Sequence, residues 1–168
     1  MSREGRGFDR GFPMKLYLLQ HGDAVPESVS PERPLSEKGR LDVRRLAKFV
    51  GWSAVKVNRV YHSGKHRARQ SAEIVASEIT DHGVPEVMAG LNPNDPVAPV
   101  AERANGWSED TLLAGHMPFM GRLAAALVCG DPEIPVAAFR PGTLVCLERD
   151  ESGRWSVAWM LPPELIRG

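Results

Sequence analysis

The chain has 168 residues, an ordinary length for one domain and enough to bury a full hydrophobic core. Its 21 Lys and Arg residues balance 21 Asp and Glu residues, and this zero net charge argues against a dedicated nucleic-acid binder. No apolar run approaches the roughly 20 residues that cross a bilayer, so the sequence predicts no contact with a membrane interior.

The first thirteen residues are rich in Gly and Arg and lack the apolar stretch of a secretory signal. We expect residues 1–13 to be a disordered extension, with Met14 as an alternative start, and residues 14–168 to be a single domain. Cys129 and Cys146 match no metal-ligand spacing and stand among apolar neighbours. They are expected to be buried free thiols, which are typical of a protein in the reducing cytoplasm.

The first predicted strand covers residues 15–19, whose apolar or long-stemmed side chains are typical of a buried strand. It stops at Gln20-His21-Gly22, and a proline-punctuated loop follows over residues 26–34. A helix is predicted over residues 36–50, because Ser36 is a good N-cap and apolar residues recur at helical spacing. Its buried face is expected to comprise Val43, Leu46, Ala47 and Val50. We expect Gly51 to end it.

A second unit of strand and helix follows. The strand is predicted over residues 57–61 and ends at His62-Ser63-Gly64, and the helix continues to about Ile79. Its buried face is expected to comprise Ala72, Val75, Ala76 and Ile79. This arrangement presents the amides of a helix N-terminus to an anion.

The second half of the chain is predicted to repeat this alternation and to end in a hairpin. A brief strand over residues 86–89 and a short helix over residues 97–104 precede a buried strand over residues 111–114, which ends at Gly115-His116. The next helix is marked by Met120, Leu123, Ala124, Leu127 and Val128. Residues 143–149 and 154–160 alternate like paired strands. The whole pattern predicts a three-layer αβα sandwich with a mostly parallel central sheet.

Basic residues are concentrated between Lys38 and Arg69, where ten Lys or Arg residues accompany the single acid Asp42. Part of this excess is the ordinary solvated surface of helices. A basic half of the molecule would nonetheless attract an anionic substrate or an acidic partner protein.

Polar side chains follow three of the predicted strands: Gln20 with His21, Ser63 with Arg67, and His116. In open α/β sheets, ligands bind beyond the carboxyl ends of the strands. Each residue alone has an ordinary explanation as a satisfied polar group, a surface arginine or a capping histidine. If all three groups meet at one edge, His21 becomes a candidate nucleophile, general base or metal ligand.

Four segments resemble motifs of the histidine phosphatase superfamily. Gln20-His21-Gly22 resembles its R-H-G signature, and residues 63–72, S-G-K-H-R-A-R-Q-S-A, resemble its S-x-x-x-R-A-x-Q-T-A segment. Gly115-His116-Met117-Pro118 resembles the setting of its second histidine. Residues 33–39, R-P-L-S-E-K-G, resemble its R-P-L-T-x-x-G helix start. Four spaced motifs together are far more specific than any one of them.

The short length and the element Leu91-Asn92-Pro93 resemble the small SixA-type phosphohistidine phosphatases in particular, and the match covers residues 14–160. The resemblance implies a phosphoglycerate mutase-like fold without a metal or other cofactor. It implies that His21 attacks phosphorus and forms a phosphohistidine intermediate. Arg67 would hold the phosphoryl oxygens, and His116, if protonated, would neutralise charge on them. Ser63 would add a hydrogen-bond donor.

Two positions depart from the family pattern. Gln20 stands where the family usually has arginine, and glutamine brings neither the charge nor the planar fork of a guanidinium. The larger members of the superfamily also use a carboxylic general acid from an inserted segment. Asp23 is the nearest candidate acid here, and a role as a turn residue is about equally expected. Because a phosphoramidate leaves more readily than an alkoxide, a missing acid favours a phosphohistidine substrate over a sugar phosphate.

Three functions remain open from the sequence. The first is a phosphatase acting on phosphohistidine in a protein partner, such as a histidine phosphotransfer domain. The second is a phosphatase for a small phosphorylated metabolite. The third is a non-catalytic module that binds phosphoproteins, which Gln20 suggests.

Overall fold

The computed structural model describes residues 13–81 and 83–167. The expected extension over residues 1–13 therefore lies outside the described residues, apart from Pro13. Within the described ranges, no helix is long and apolar enough to cross a membrane.

Strands and helices alternate along most of the chain, as predicted. The strands are β1 Met14–Gln20, β2 Arg59–His62, β3 Glu86–Val87, β4 Thr111–Gly115, β5 Leu144–Arg149 and β6 Trp155–Leu161. The helices are α1 Glu37–Trp52, α2 His66–Ile79, α3 Ala98–Asn105 and α4 Phe119–Cys129, and a short 3₁₀ helix covers Pro163–Leu165.

The six strands form one sheet in the order β3-β2-β4-β1-β5-β6. The first four in this order run parallel, and β5 and β6 form the antiparallel hairpin. Buried side chains of α1 and α2 pack with Tyr17 and Leu19 on one face of the sheet. Those of α3 and α4 pack with Leu16 and Leu18 on the other face. The prediction of a three-layer αβα sandwich with a mostly parallel sheet is confirmed.

The predicted buried faces of α1 and α2 are confirmed, since all eight apolar residues assigned to them are buried. On α4, Met120, Leu123 and Ala124 are fully buried, whereas Leu127 and Val128 are only partly buried against the same core. The fully buried stretch of α4 thus ends at Ala125, earlier than the spacing suggested.

The prediction that Gly51 ends α1 is wrong, because the helix continues through it to Trp52. Ala54, not a glycine, adopts the left-handed backbone after the helix, at φ 61°. A Cβ at residue 51 would lie 3.0 Å from Cβ of Glu78, so this glycine allows α1 to approach α2 closely. Its role is in helix packing rather than termination.

The prediction of two buried thiols is half wrong. Both cysteines are free, and Cys146 is buried in the central sheet. Cys129, however, is exposed, because it occupies the last turn of α4, beyond the stripe of residues that face the core.

Candidate active site

The carboxyl ends of β1, β2 and β4 meet at one edge of the sheet. Gln20 lies opposite Gly115 in the parallel pair of β1 and β4, and His62 lies opposite Ala114 in the pair of β2 and β4. The His21 amide donates a hydrogen bond to the Gly115 carbonyl at 3.0 Å, which extends the ladder by one residue. The residues that follow the three strands are therefore brought together, as the sequence predicted.

Both ring nitrogens of His21 have defined partners. Nδ1 lies 2.7 Å from the carbonyl oxygen of Gly22, and Nε2 lies 3.2 Å from Nε of Arg67. Since a carbonyl only accepts and a guanidinium only donates, Nδ1 carries the proton, and Nε2 is unprotonated and accepts from Arg67. Burial lowers the pKa of His21 to about 4, and the charges of Arg67 and Arg33 act in the same direction. The ring is therefore neutral near pH 7.

His116 lies beside His21, with 5.0 Å between the ring centroids. Its Nε2 is 2.7 Å from Oγ of Ser63. Burial lowers the pKa of His116 to about 3, with further lowering by His21 and Arg67. In the free protein this histidine is thus neutral, whereas the role implied by the family resemblance requires a proton on it.

Two buried side-chain atoms lack a hydrogen-bond partner in the described part of the chain, and both belong to this site. They are Oε1 of Gln20 and Nδ1 of His116. Buried polar atoms are nearly always paired, so an unpaired couple at one place indicates room for a polar ligand. The backbone of Gln20 is fixed, because its amide donates to the Thr143 carbonyl and its carbonyl accepts from the Gly142 amide, both at 3.1 Å.

Arg67 lies in the first turn of α2 and is held relative to His21 by a buried serine that the sequence reasoning did not single out. Oγ of Ser71 accepts from the Gly22 amide at 3.0 Å and donates to the Arg67 carbonyl at 2.8 Å. The hydroxyl thus connects the turn after His21 with the start of α2. Its position within residues 63–72, the segment that resembles a family motif, was the only signal in the sequence that could have identified Ser71.

His62 was predicted only as a polar strand end, and the structure gives it a defined role. The ring is 3% exposed, and its Nδ1 accepts a hydrogen bond from the Gly64 amide at 3.0 Å. Burial lowers its pKa, with a further lowering by Arg69. A neutral imidazole under the turn of residues 63–65 fixes the backbone that carries Ser63.

Asp23 is engaged in the loop after β1. Its Oδ2 accepts from Oγ of Ser36 at 2.5 Å, and its carbonyl accepts from the Ser36 amide at 2.9 Å. These contacts join the loop to the N-cap of α1, where Ser36 also accepts from the Gly39 amide. They are the contacts of a turn residue, the second of the two roles considered for it.

Arg33 acts electrostatically on the same site, although its motif was read only as a helix start. Its Nε donates to the Val25 carbonyl at 3.2 Å, and its charge lowers the pKa of His21, Arg67 and His116. Sequence reasoning missed this role, because the position of the side chain depends on how the loop folds back.

In the described ranges, no group of three His, Cys, Asp or Glu side chains is arranged to hold a metal ion. A cleft of about 590 Å³ lies elsewhere, lined by Phe49, Val55 and Trp159 among others. None of the candidate site residues lines it.

Comparison with known proteins shows which family the chain resembles. Residues 16–92 match the model of the histidine phosphatase superfamily, branch 1. The chain is 28% identical over 155 residues to the phosphohistidine phosphatase SixA of Escherichia coli K12, covering 89% of this chain and 94% of that protein. It is 30% identical over 125 residues to an uncharacterized protein of Picosynechococcus, covering 70% of this chain and 74% of the relative.

Among solved structures, the protein histidine phosphatase SixA complexed with tungstate superimposes with a TM-score of 0.82 at 28% identity. The superposition covers 92% of this chain and all of that one. The likeness therefore extends over most of the αβα sandwich.

Proposed function

Because the chain belongs to the histidine phosphatase superfamily and is accordingly a phosphatase, we propose that it hydrolyses phosphohistidine in a protein partner. The observation that carries this proposal is the state of His21. Its Nδ1 is held by the Gly22 carbonyl, and its unprotonated Nε2 faces Arg67. A neutral imidazole with a fixed tautomer is the form that attacks phosphorus.

In the first step, Nε2 of His21 forms a bond to phosphorus as the bond from phosphorus to the substrate nitrogen breaks. The leaving nitrogen keeps the bonding electron pair as its own lone pair. The substrate ring departs as neutral imidazole because its other nitrogen is already protonated when phosphorus is attacked. A strong general acid is therefore not needed, in keeping with the contacts of Asp23. Water then attacks phosphorus as the bond from phosphorus to Nε2 of His21 breaks. The bonding electron pair returns to Nε2, and both protons of the water leave with the phosphate as H2PO4⁻.

In this proposal, side chains stabilise the negative charge of the transferring phosphoryl group. Arg67 donates to the phosphoryl oxygens through its planar fork, and the hydroxyl of Ser63 adds a donor. The dianion itself would raise the pKa of His116, because an opposite charge favours the protonated ring. Protonated His116 then neutralises charge on the same oxygens. No metal ion takes part in these steps.

The proposed partner is a phosphorylated protein, such as a histidine phosphotransfer domain in the cytoplasm. SixA, the relative covered over 94% of its length, is named for phosphohistidine. The basic excess between Lys38 and Arg69 would favour an acidic partner surface. A small phosphorylated metabolite is the alternative substrate of the same chemistry.

The test is a substrate comparison. The purified chain is given a protein phosphorylated on histidine, an aryl phosphate and a panel of phosphorylated metabolites, each with and without EDTA. We expect the phosphohistidine protein to have the highest kcat/KM and EDTA to leave it unchanged. A metabolite that exceeds it would favour the alternative. Binding of phosphohistidine protein without any turnover would identify a binding module instead.

A further inference from the structure

The loop between β1 and α1 carries Arg33, the first residue of a segment that sequence reasoning took only as a helix start. We propose that Arg33 is a phosphate-binding residue and supplies the guanidinium charge that Gln20 lacks. This inference rests on the proposed function only in requiring that the site bind a phosphoryl group.

The first support is the conformation of the loop. Arg33 has a left-handed backbone with φ 47°, which side chains other than glycine rarely adopt. Its amide donates to the Ser30 carbonyl at 3.0 Å, and Val25 donates to the Pro34 carbonyl at 2.9 Å. Strained backbone that surrounding contacts maintain is concentrated at functional sites.

The second support is that the loop is attached to the helix that carries Arg67. The amide of Leu35 donates to Oε1 of Gln70 at 2.7 Å, and Gln70 lies one turn beyond Arg67 on α2. The two arginines therefore belong to one preorganised unit. Preorganisation reduces the entropy lost when a ligand is bound.

The third support is the side chain itself. Nε of Arg33 donates to the Val25 carbonyl at 3.2 Å. Within residues 13–81 and 83–167, the two Nη atoms have no recorded hydrogen bond, and no carboxylate lies within 4.0 Å of the guanidinium. The anchored end fixes the direction of the side chain, and the free end retains four N–H donors.

The fourth support is electrostatic. Arg33 acts on His21, Arg67 and His116 together, so its charge is near all three. Arg67 also lacks a carboxylate partner in the described part of the chain. Two guanidinium groups at one half-buried place repel each other, and a bound dianion would turn this repulsion into attraction. The free site therefore carries positive charge before phosphate binds.

Gln20 leaves the strand end without the guanidinium group that the family usually has there. The family's usual arginine would fill this position, and here a neutral side chain leaves Oε1 buried and unpaired. Arg33 enters from the loop rather than from the strand end and restores a second guanidinium to the site.

The test measures tungstate and inorganic phosphate binding by calorimetry, because neither needs turnover. Arg33→Asn removes the charge while keeping a residue that tolerates the left-handed backbone. Arg44→Asn, on the exposed face of α1, is the control with the same change in net charge. We expect Arg33→Asn to weaken binding about 10- to 100-fold and Arg44→Asn to change it less than about threefold.

A rescue variant separates charge supply from loop structure. Gln20→Arg added to Arg33→Asn should recover most of the lost affinity if the two positions supply the same charge. Unchanged tungstate affinity in a folded Arg33→Asn variant would overturn the proposal. If Arg33→Asn does not fold, Arg33→Gly keeps the backbone and takes its place. Loss in Arg33→Gly without rescue by Gln20→Arg would also overturn it.

The outcome is independent of the substrate. A wild type that binds tungstate but leaves phosphohistidine intact would remove the proposed function and keep the role of Arg33. Turnover of phosphohistidine with full tungstate affinity in Arg33→Asn would do the reverse.

Discussion

At the scale of single residues, the site depends on which atoms carry protons. The Gly22 carbonyl fixes the proton of His21 on Nδ1, and the low pKa of about 4 keeps Nε2 free at neutral pH. In the proposed mechanism this atom carries the phosphoryl group. The same burial that lowers basicity thus keeps the nucleophile in its reactive form over a wide pH range.

His21→Ala is expected to lower turnover of an aryl phosphate by about 10⁴-fold or more, since no other side chain can replace the nucleophile. Wild type quenched during turnover of radiolabelled substrate should carry a label that is lost in acid and retained in base. The melting temperature serves as the control for folding. A label on serine or aspartate, or full activity of the alanine variant, would contradict the assignment.

His62 is a positioning residue rather than a group that touches substrate. Asn keeps an acceptor near the position of Nδ1 and Leu removes it, so the two variants isolate the contact to Gly64. We expect His62→Asn to stay within about threefold of wild-type tungstate affinity and His62→Leu to lose about tenfold, the usual effect of one lost hydrogen bond to a fixed loop. Equal losses in both variants would mean that ring packing, not the Gly64 contact, matters.

At the scale of elements, much of the site could be predicted because each strand ends where its apolar run ends. Gln20, Ser63 and His116 follow three such runs, and parallel strands deliver their ends to one edge. Arg33 could not be predicted in this way, since its position depends on a left-handed turn and on the anchoring of Leu35 by Gln70. Local patterns report strands and helices better than the path of a loop between them.

Gly51 and Ala54 illustrate the same limit. Glycine after a helical pattern usually marks the end of the helix, but tertiary packing decided otherwise here. Gly51 remains inside α1, at the point where Cβ of Glu78 comes close. The left-handed residue after the helix is Ala54 instead. A single sequence contains the period of a helix but not the neighbour that its small residues must accommodate.

The loop after β1 and the start of α1 are in close contact, and a glycine permits it. A Cβ on Gly39 would lie 2.0 Å from the Asp23 carbonyl oxygen, so the loop carrying Arg33 would have to move. We expect Gly39→Ala to destabilise the fold by about 1–3 kcal/mol, as overpacking does, and to weaken tungstate binding. Gly83→Ala is the matched control, since no atom lies within 4 Å of its Cβ position. Wild-type stability in Gly39→Ala would contradict this account of the contact.

At the scale of the whole molecule, the neutral total charge conceals a local excess of positive charge. Arg67 contacts buried His21, which lies against buried His116, and the charge of Arg33 lowers the pKa of both rings. None of the four has a carboxylate partner in the described part of the chain. We expect such a site to attract an anion and to make the fold sensitive to acid. Folding stability and function are therefore coupled through protonation of the same rings.

Acid should destabilise the free protein through His21 and His116. Both have folded pKa values, about 4 and about 3, below their ordinary value of 6.5. The unfolded chain therefore binds more protons as pH falls below 6.5, and unfolding is favoured increasingly down to the folded values. For His21 the difference corresponds to an effect on the order of 3 kcal/mol.

Urea unfolding between pH 7 and pH 4 measures this effect, with His21→Gln/His116→Gln as the variant that cannot titrate at these positions. The free energy of unfolding should fall less steeply with acid in the variant than in wild type. Tungstate should reduce the wild-type slope as well, because a bound anion favours the protonated rings and raises their pKa. If wild type and variant lose stability in parallel, the acid sensitivity arises elsewhere in the fold, and the two histidines are not held neutral against their surroundings.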